Sequence, residues 1–159
     1  MNGSYQNVLH ECSLELENIK RWEEAHRLDS NIRYLTSYAI IKASGTIEYV
    51  LKQMLYDALS VNANEEAKNY LMKNIVDASF NPSPGMISKM LEKMSQDWKD
   101  EFENIIKGTN QKGQLKSLVD LRNSFAHGTT ITASMSDVVS YYESGIFVLE
   151  ALYDIIISD

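Results

Sequence analysis

The 159-residue chain has a single cysteine, Cys12, which excludes an intrachain disulfide. That fits a reducing compartment, and a cytoplasmic location is the expectation. Two prolines and seven glycines leave room for long uninterrupted helices. No apolar run approaches the length of a bilayer span, so no membrane association is expected. The start, Met1-Asn2-Gly3-Ser4, lacks the basic and apolar segments of a signal peptide. The chain also lacks an excess of positive charge. A net charge of −7 argues against broad, non-specific binding of nucleic acid, though not against a local basic site. There is no Gly-rich phosphate loop, no Cys/His cluster and no Gly-x-Ser-x-Gly elbow. His10 and His26 are sixteen apart, with no ligand pairing between them, and read as surface histidines. No metal and no cofactor are expected.

What is present is helical periodicity. With 44% hydrophobic residues the chain can bury a sizeable core, and its length suits one domain over residues 1–159. Apolar spacing predicts helices over about residues 5–28, 32–59, 65–79, 84–94 (with Ser83 as its cap and Pro84 at its first position), 97–107, 114–127 and from Ser134 or Ser136 to about 157. In the second helix Tyr34, Tyr38, Ile41, Gly45, Leu55 and Leu59 make one stripe. Ile40, Ile47, Leu51, Met54 and Ala58 make its flank. Gly45 suggests close approach of a neighbouring helix. In the third predicted helix Ala67, Tyr70, Leu71, Ile75 and Ala78 fall inside. Met86, Met90 and Met94 read as core filler, and residues 109–113 as a polar loop. No strand-like alternation is visible. The expected fold is all-α, an up-and-down bundle of about four long helices with one or two short ones inserted.

The densest chemistry lies in Leu118-Val119-Asp120-Leu121-Arg122-Asn123-Ser124-Phe125-Ala126-His127-Gly128. Leu115, Leu118, Val119, Phe125 and Ala126 space as a buried stripe, and Gly128 supplies a helix stop. Arg122 falls in line with that stripe, where an unpaired guanidinium is costly. Glu48, on the second helix, is a candidate structural partner for it; the alternative is a solvated Glu48 at the edge of its stripe. Asn123 and His127 are four apart and share a helix face. Arg122 and His127 are five apart, about 140° round the axis, and cannot face each other within one helix. Around them Lys107, Lys112, Lys116 and Arg122 stand against Asp120 alone. A plainer account makes Arg122 a structural arginine held by Glu48 or Asp120, and Asn123 and His127 helix-end capping.

Arg122-Asn123-x-x-x-His127, followed by Gly128 in an all-helical chain, resembles the HEPN superfamily. The stretch Ile40-Ile41-Lys42-Ala43-Ser44-Gly45-Thr46-Ile47-Glu48-Tyr49-Val50 looks like that family's second helix, with a Glu among small and apolar residues. The resemblance implies a metal-independent endoribonuclease, acting through a composite site at a homodimer interface. The ribose 2′-hydroxyl attacks the adjacent phosphate, leaving 2′,3′-cyclic phosphate and 5′-hydroxyl ends. It also implies service as a toxin or antiviral, anti-phage defence effector, with an antitoxin or defence-system protein as partner. Arg122 and His127 would be catalytic, with Asn123 supporting them, and Lys112, Lys116 and Ser124 would bind RNA. In one toxin branch the motif continues His-x-Tyr, and that Tyr is modified by a partner nucleotidyltransferase. Here Thr129 stands in that position, which argues against silencing by that route. Some HEPN domains have lost catalysis and serve as interaction or dimerisation modules, and that is the alternative.

Overall fold

The structure, a computed structural model, describes residues 1–129 and 132–157. Among them are seven α-helices and no strand. Four are long: α1 (Gly3–Ala25), α2 (Ile32–Ser60), α6 (Asn110–Ala126) and α7 (Met135–Ile157). Three are short: α3 (Glu65–Leu71), which loosens into a π-helical turn over Met72–Val76, α4 (Pro84–Glu92) and α5 (Gln96–Ile106). The chain is therefore an all-α helical bundle, with three short helices between α2 and α6 rather than one or two.

Side-chain contacts fix the directions of the long helices. Tyr5 hydrogen-bonds Asp57, while Glu15 meets Tyr38 and Lys42, so α1 and α2 are antiparallel. Tyr5 packs edge-on against Tyr153 at 6.4 Å, and the Tyr142 hydroxyl donates to the Leu9 carbonyl at 3.0 Å, so α1 and α7 are antiparallel too. Gln114 donates to Ser140 at 3.2 Å, and Leu121 and Ser124 share a groove with Thr132 and Ala133, so α6 runs against α7. It follows that the C-terminal ends of α1 and α6 and the N-terminal ends of α2 and α7 lie together at one end of the bundle. α2 and α7 pack between α1 and α6, which occupy opposite corners.

α2 is the central helix, but the first part of its predicted stripe faces outward, and of that stripe only Leu55 is fully buried and Leu59 half-buried. Ile40, Ile47, Leu51 and Met54, predicted as the flank, are fully or almost fully buried together with Ala39, Ala43 and Val50. Tyr34, Tyr38, Ile41 and Gly45 face solvent, with Tyr49 beside them. The reason is chemical. The aliphatic side chains carry no polar atom inward, whereas Tyr38 keeps its hydroxyl on Glu15 and Tyr34 receives a hydrogen bond from Arg33 at 2.7 Å. Nothing lies within 4 Å of a Cβ placed on Gly45, so no neighbouring helix approaches it within the chain. The crowded glycine is Gly145, where a Cβ would meet Ile47 Cδ1 at 2.8 Å and Leu115 Cδ1 at 3.5 Å. At that level α2, α6 and α7 interlock.

Two further expectations change. Across α3 and its π turn only Ile75 is buried; Ala67 and Tyr70 are exposed, because this short segment touches the bundle by one edge. Met86 is exposed and Met90 and Met94 are half-buried. They line a groove of about 770 Å³ with Leu59, Leu71 and Phe80, while Ile87 and Leu91 fill the core beneath.

Candidate nuclease site

The helix that carries the motif is longer than its periodicity predicts. α6 begins at Asn110, with the Thr109 hydroxyl accepting from the Lys112 N–H at 3.4 Å, so residues 110–113 are helical rather than loop. A side-chain cap at Thr109 offsets the propensity cost of Gly113 in the first turn. Leu115, Leu118 and Val119 are buried as expected. The stripe then runs out: Arg122 is half-buried, and Phe125 and Ala126 are exposed. The end of α6 projects beyond the apolar core.

That end is closed by a Schellman arrangement. The Gly128 N–H donates to the Phe125 carbonyl and the Thr129 N–H to the Ser124 carbonyl, each at 2.9 Å. Gly128 takes φ +74°, a left-handed conformation that a side chain would strain. His127 is the capping residue, its N–H on the Asn123 carbonyl at 3.1 Å, and its ring is exposed. Asn123 sits one turn below. Its amide oxygen accepts from Arg122 Nη1 at 3.3 Å.

The partners anticipated for Arg122 are engaged elsewhere. Glu48 binds Lys52 of its own helix at 2.7 Å, and Lys52 also donates to the Ala78 carbonyl at 2.5 Å. Glu48 is thus neither an arginine partner nor a free solvated carboxylate. An i,i+4 pair is always within reach on a helix and needs no tertiary arrangement. Asp120 pairs with Lys116 in the same way. Arg122 therefore sits at the margin of the core with an amide, not a carboxylate, beside it. The half-buried guanidinium has N–H donors beyond the one on Asn123, in a planar fork of the kind that can take an anion.

The lysines divide differently from the sequence expectation. Lys112 stands in the first turn of α6 and lines a groove with Ser88, Lys89, Lys99 and Glu103. Fifteen residues of helix put it on the order of 22 Å from His127. Lys116 is engaged by Asp120. Ser124 is half-buried and opens on a groove of about 390 Å³, with Ser117, Asp120, Leu121, Asp137 and Tyr141. By helical geometry that groove lies on the flank of α6 away from Arg122, while Ser124 is an i,i+3 neighbour of His127. So the structure holds Arg122, Asn123 and His127 at one free helix end, puts Ser124 on the adjacent flank, and separates Lys112 and Glu48 from them.

No group of three or more His, Cys, Asp or Glu among the described residues is arranged to hold a metal ion. No helix among them is long and apolar enough to cross a membrane.

Comparison with known proteins rests on a family model. Neither the curated proteins nor the solved structures give a match. The model described as RiboL-PSP-HEPN matches residues 9–158, which takes in α1 from Leu9, the whole of α2, α6 and α7, and the whole Arg122–His127 motif. With the all-α bundle and the motif at the end of its sixth helix, the chain belongs to this HEPN family.

Proposed function

We propose that this protein is a metal-independent endoribonuclease that acts through a site shared by two copies of the chain, in the service of a toxin or defence system. One observation carries the proposal. Arg122 is half-buried without a carboxylate partner, at the same solvent-reachable helix end as an exposed His127. A structural arginine at the edge of a core would ordinarily be matched by an acid, and the two acids within reach by sequence are both bound to lysines.

The chemistry follows from the side chains. Histidine is the residue whose proton is exchanged most readily near neutral pH. One imidazole takes the proton from the ribose 2′-hydroxyl. The 2′-oxygen then forms its bond to the adjacent phosphorus, and the bond from phosphorus to the 5′-oxygen breaks. A second imidazole gives that leaving oxygen its proton. The products are a 2′,3′-cyclic phosphate and a 5′-hydroxyl. Arg122 offers a planar donor fork to the charge that grows on the phosphoryl oxygens. Asn123, bonded to Arg122, orients the fork. One α6 carries one imidazole and points Arg122 about 140° away from it. Two copies of α6 side by side supply both proton carriers and bring an arginine to each side of the phosphate.

Incubation of the purified protein with a mixed RNA pool in EDTA, followed by end-group analysis, tests this. The wild type is expected to leave cyclic-phosphate ends, and His127→Ala to leave the RNA intact while keeping its helical content. Absence of cleavage by the folded, dimeric wild type would overturn it in favour of a non-catalytic helical interaction module. The apolar solvent face of α2 at Tyr34, Tyr38, Ile41 and Tyr49 would suit such a module.

A further inference from the structure

The chain has four arginines, Arg21, Arg27, Arg33 and Arg122, and all four fall at the end of the bundle that bears the motif. The first three lie in the last turns of α1, the α1–α2 connection and the first turn of α2. Among the described residues every ion pair is made by a lysine, and no arginine enters one. Arg21 donates to the Asn18 amide at 2.6 Å and to the Glu17 carbonyl at 3.4 Å. Arg33 lies 4.7 Å over the Tyr34 ring. In a chain with 22 carboxylates, four guanidiniums gathered at one end and left without an acid mark a place where the anion comes from outside.

Near the first three of these arginines, though lined by none of them, runs a groove of about 630 Å³ formed by α1 and the start of α2. Trp22, Tyr34, Ile19 and Leu35 give it apolar walls, and the amides of Asn18 and Asn31 open onto it. Of the carboxylates nearest the groove, Glu15, which lines it, and Asp29 have partners, while one oxygen of Glu23, beside Trp22, is buried without one. Glu15 holds Tyr38 and Lys42, and Asp29 accepts the Asn31 N–H at 2.7 Å. Residues 15–35, the span that lines the groove, carry four cations against five carboxylates, close to balance in a chain of net charge −7. Flat aromatic walls, amides with both donors and acceptors, and flanking guanidiniums are what an unpaired base and its phosphates require.

We infer that this end of the bundle binds single-stranded RNA, with a base stacked in the α1–α2 groove. Arg21, Arg27 and Arg33 hold the neighbouring phosphates, and the strand crosses the bundle end to Arg122 and His127. The groove and the motif sit on opposite corners, on the order of 15 Å apart at ordinary helix spacing. The course of the strand toward His127 rests on the nuclease proposal; the binding does not.

The test is fluorescence anisotropy with a labelled, mixed-sequence single-stranded oligoribonucleotide, in a His127→Ala background so that cleavage cannot intrude. Combined Arg21→Ala and Arg33→Ala is expected to weaken binding about tenfold or more. It should also flatten the dependence of log K on log salt by roughly 1.4, for two phosphate contacts on a single strand. Tyr34→Ala is expected to weaken binding roughly tenfold through lost stacking. Lys107→Ala, at the opposite end beside the start of α6, is expected to bind as the parent does. These side chains are exposed, and circular dichroism checks each fold. Unchanged binding in the arginine pair, an equal loss in Lys107→Ala, or no RNA binding by the parent overturns the inference. Binding through this end by a wild type that never cleaves would support it and overturn the nuclease. Cleavage at the wild-type rate by the arginine pair, with binding unchanged, would do the reverse.

Discussion

Two glycines stand under opposite constraints. At Gly145 a methyl group would press on Ile47 Cδ1 at 2.8 Å, where three helices interlock, whereas at Gly45 it would meet nothing. Gly145→Ala is therefore expected to destabilise the fold by about 1–3 kcal/mol through overpacking. Gly45→Ala is expected to stabilise it by up to about 1 kcal/mol, since alanine is the better helix former on an open face. Urea denaturation of the two variants beside the wild type decides it; a loss of stability at Gly45 would mean that a second copy packs there. The sequence alone pointed to the wrong glycine. Both lie inside long apolar helices, and only the packing of Leu115 and Ile47 against α7 tells them apart. Arg122, Asn123 and His127 were legible as a trio because their spacing lies within one helix. Glu48 was misassigned because a local pair with Lys52 and a tertiary pair with Arg122 look equally plausible until side chains are placed.

Helix ends were largely legible, because they depend on neighbours in sequence. α7 starts with a reciprocal capping box. The Ser134 hydroxyl accepts from the Asp137 N–H at 3.2 Å, and the Asp137 carboxylate accepts from the Ser134 N–H at 2.9 Å and its hydroxyl at 2.7 Å. The start of α6 was hidden by Gly113, which resembles a breaker but lies within a first turn that Thr109 caps. The inward face of α2 was hidden for another reason: a helix apolar on almost every side carries no directional signal, and the tyrosines decide the matter by keeping their hydroxyls wet. The α7 cap makes a pH-dependent contribution. Hydrogen bonds from the Ser134 side chain and then its backbone hold the Asp137 carboxyl below its ordinary range. A carboxyl so depressed adds stability that is present above the ordinary carboxylate pKa, near pH 4, and is lost as pH falls through the lower folded value. Asp137→Asn should be less stable than the wild type at neutral pH, and the gap should narrow as pH falls toward about 3. Denaturant titrations at the two pH values measure this; a gap of constant size would sink the electrostatic account and leave only a steric one.

At the scale of the whole molecule, charge is distributed unevenly over an acidic chain. Among the described residues six of the eleven lysines are tied to nearby acids, while the arginines gather without an ion pair at one end with His26 and His127. None of this is visible in a running sum of charge, because residues 21–33 and 122–127 are brought together only by the antiparallel course of α1 and α6 relative to α2 and α7. The same topology leaves Phe125, Ala126 and His127 protruding past the core, free to meet a second copy. If the working site takes an imidazole from each of two chains, one damaged chain disables the pair. Equal amounts of wild type and His127→Ala, allowed to exchange subunits at low concentration and then concentrated, should form wild-type pairs in about a quarter of dimers by random pairing. Cleavage per total protein is then expected near one quarter of the wild-type rate. A site complete within each chain would give one half. Mixing without exchange would also give one half, so size-exclusion of differently tagged chains must show that mixed dimers form. One half with mixed dimers present would place the entire reaction within a single α6, and the roughly 140° between Arg122 and His127 would then need some other group to close it.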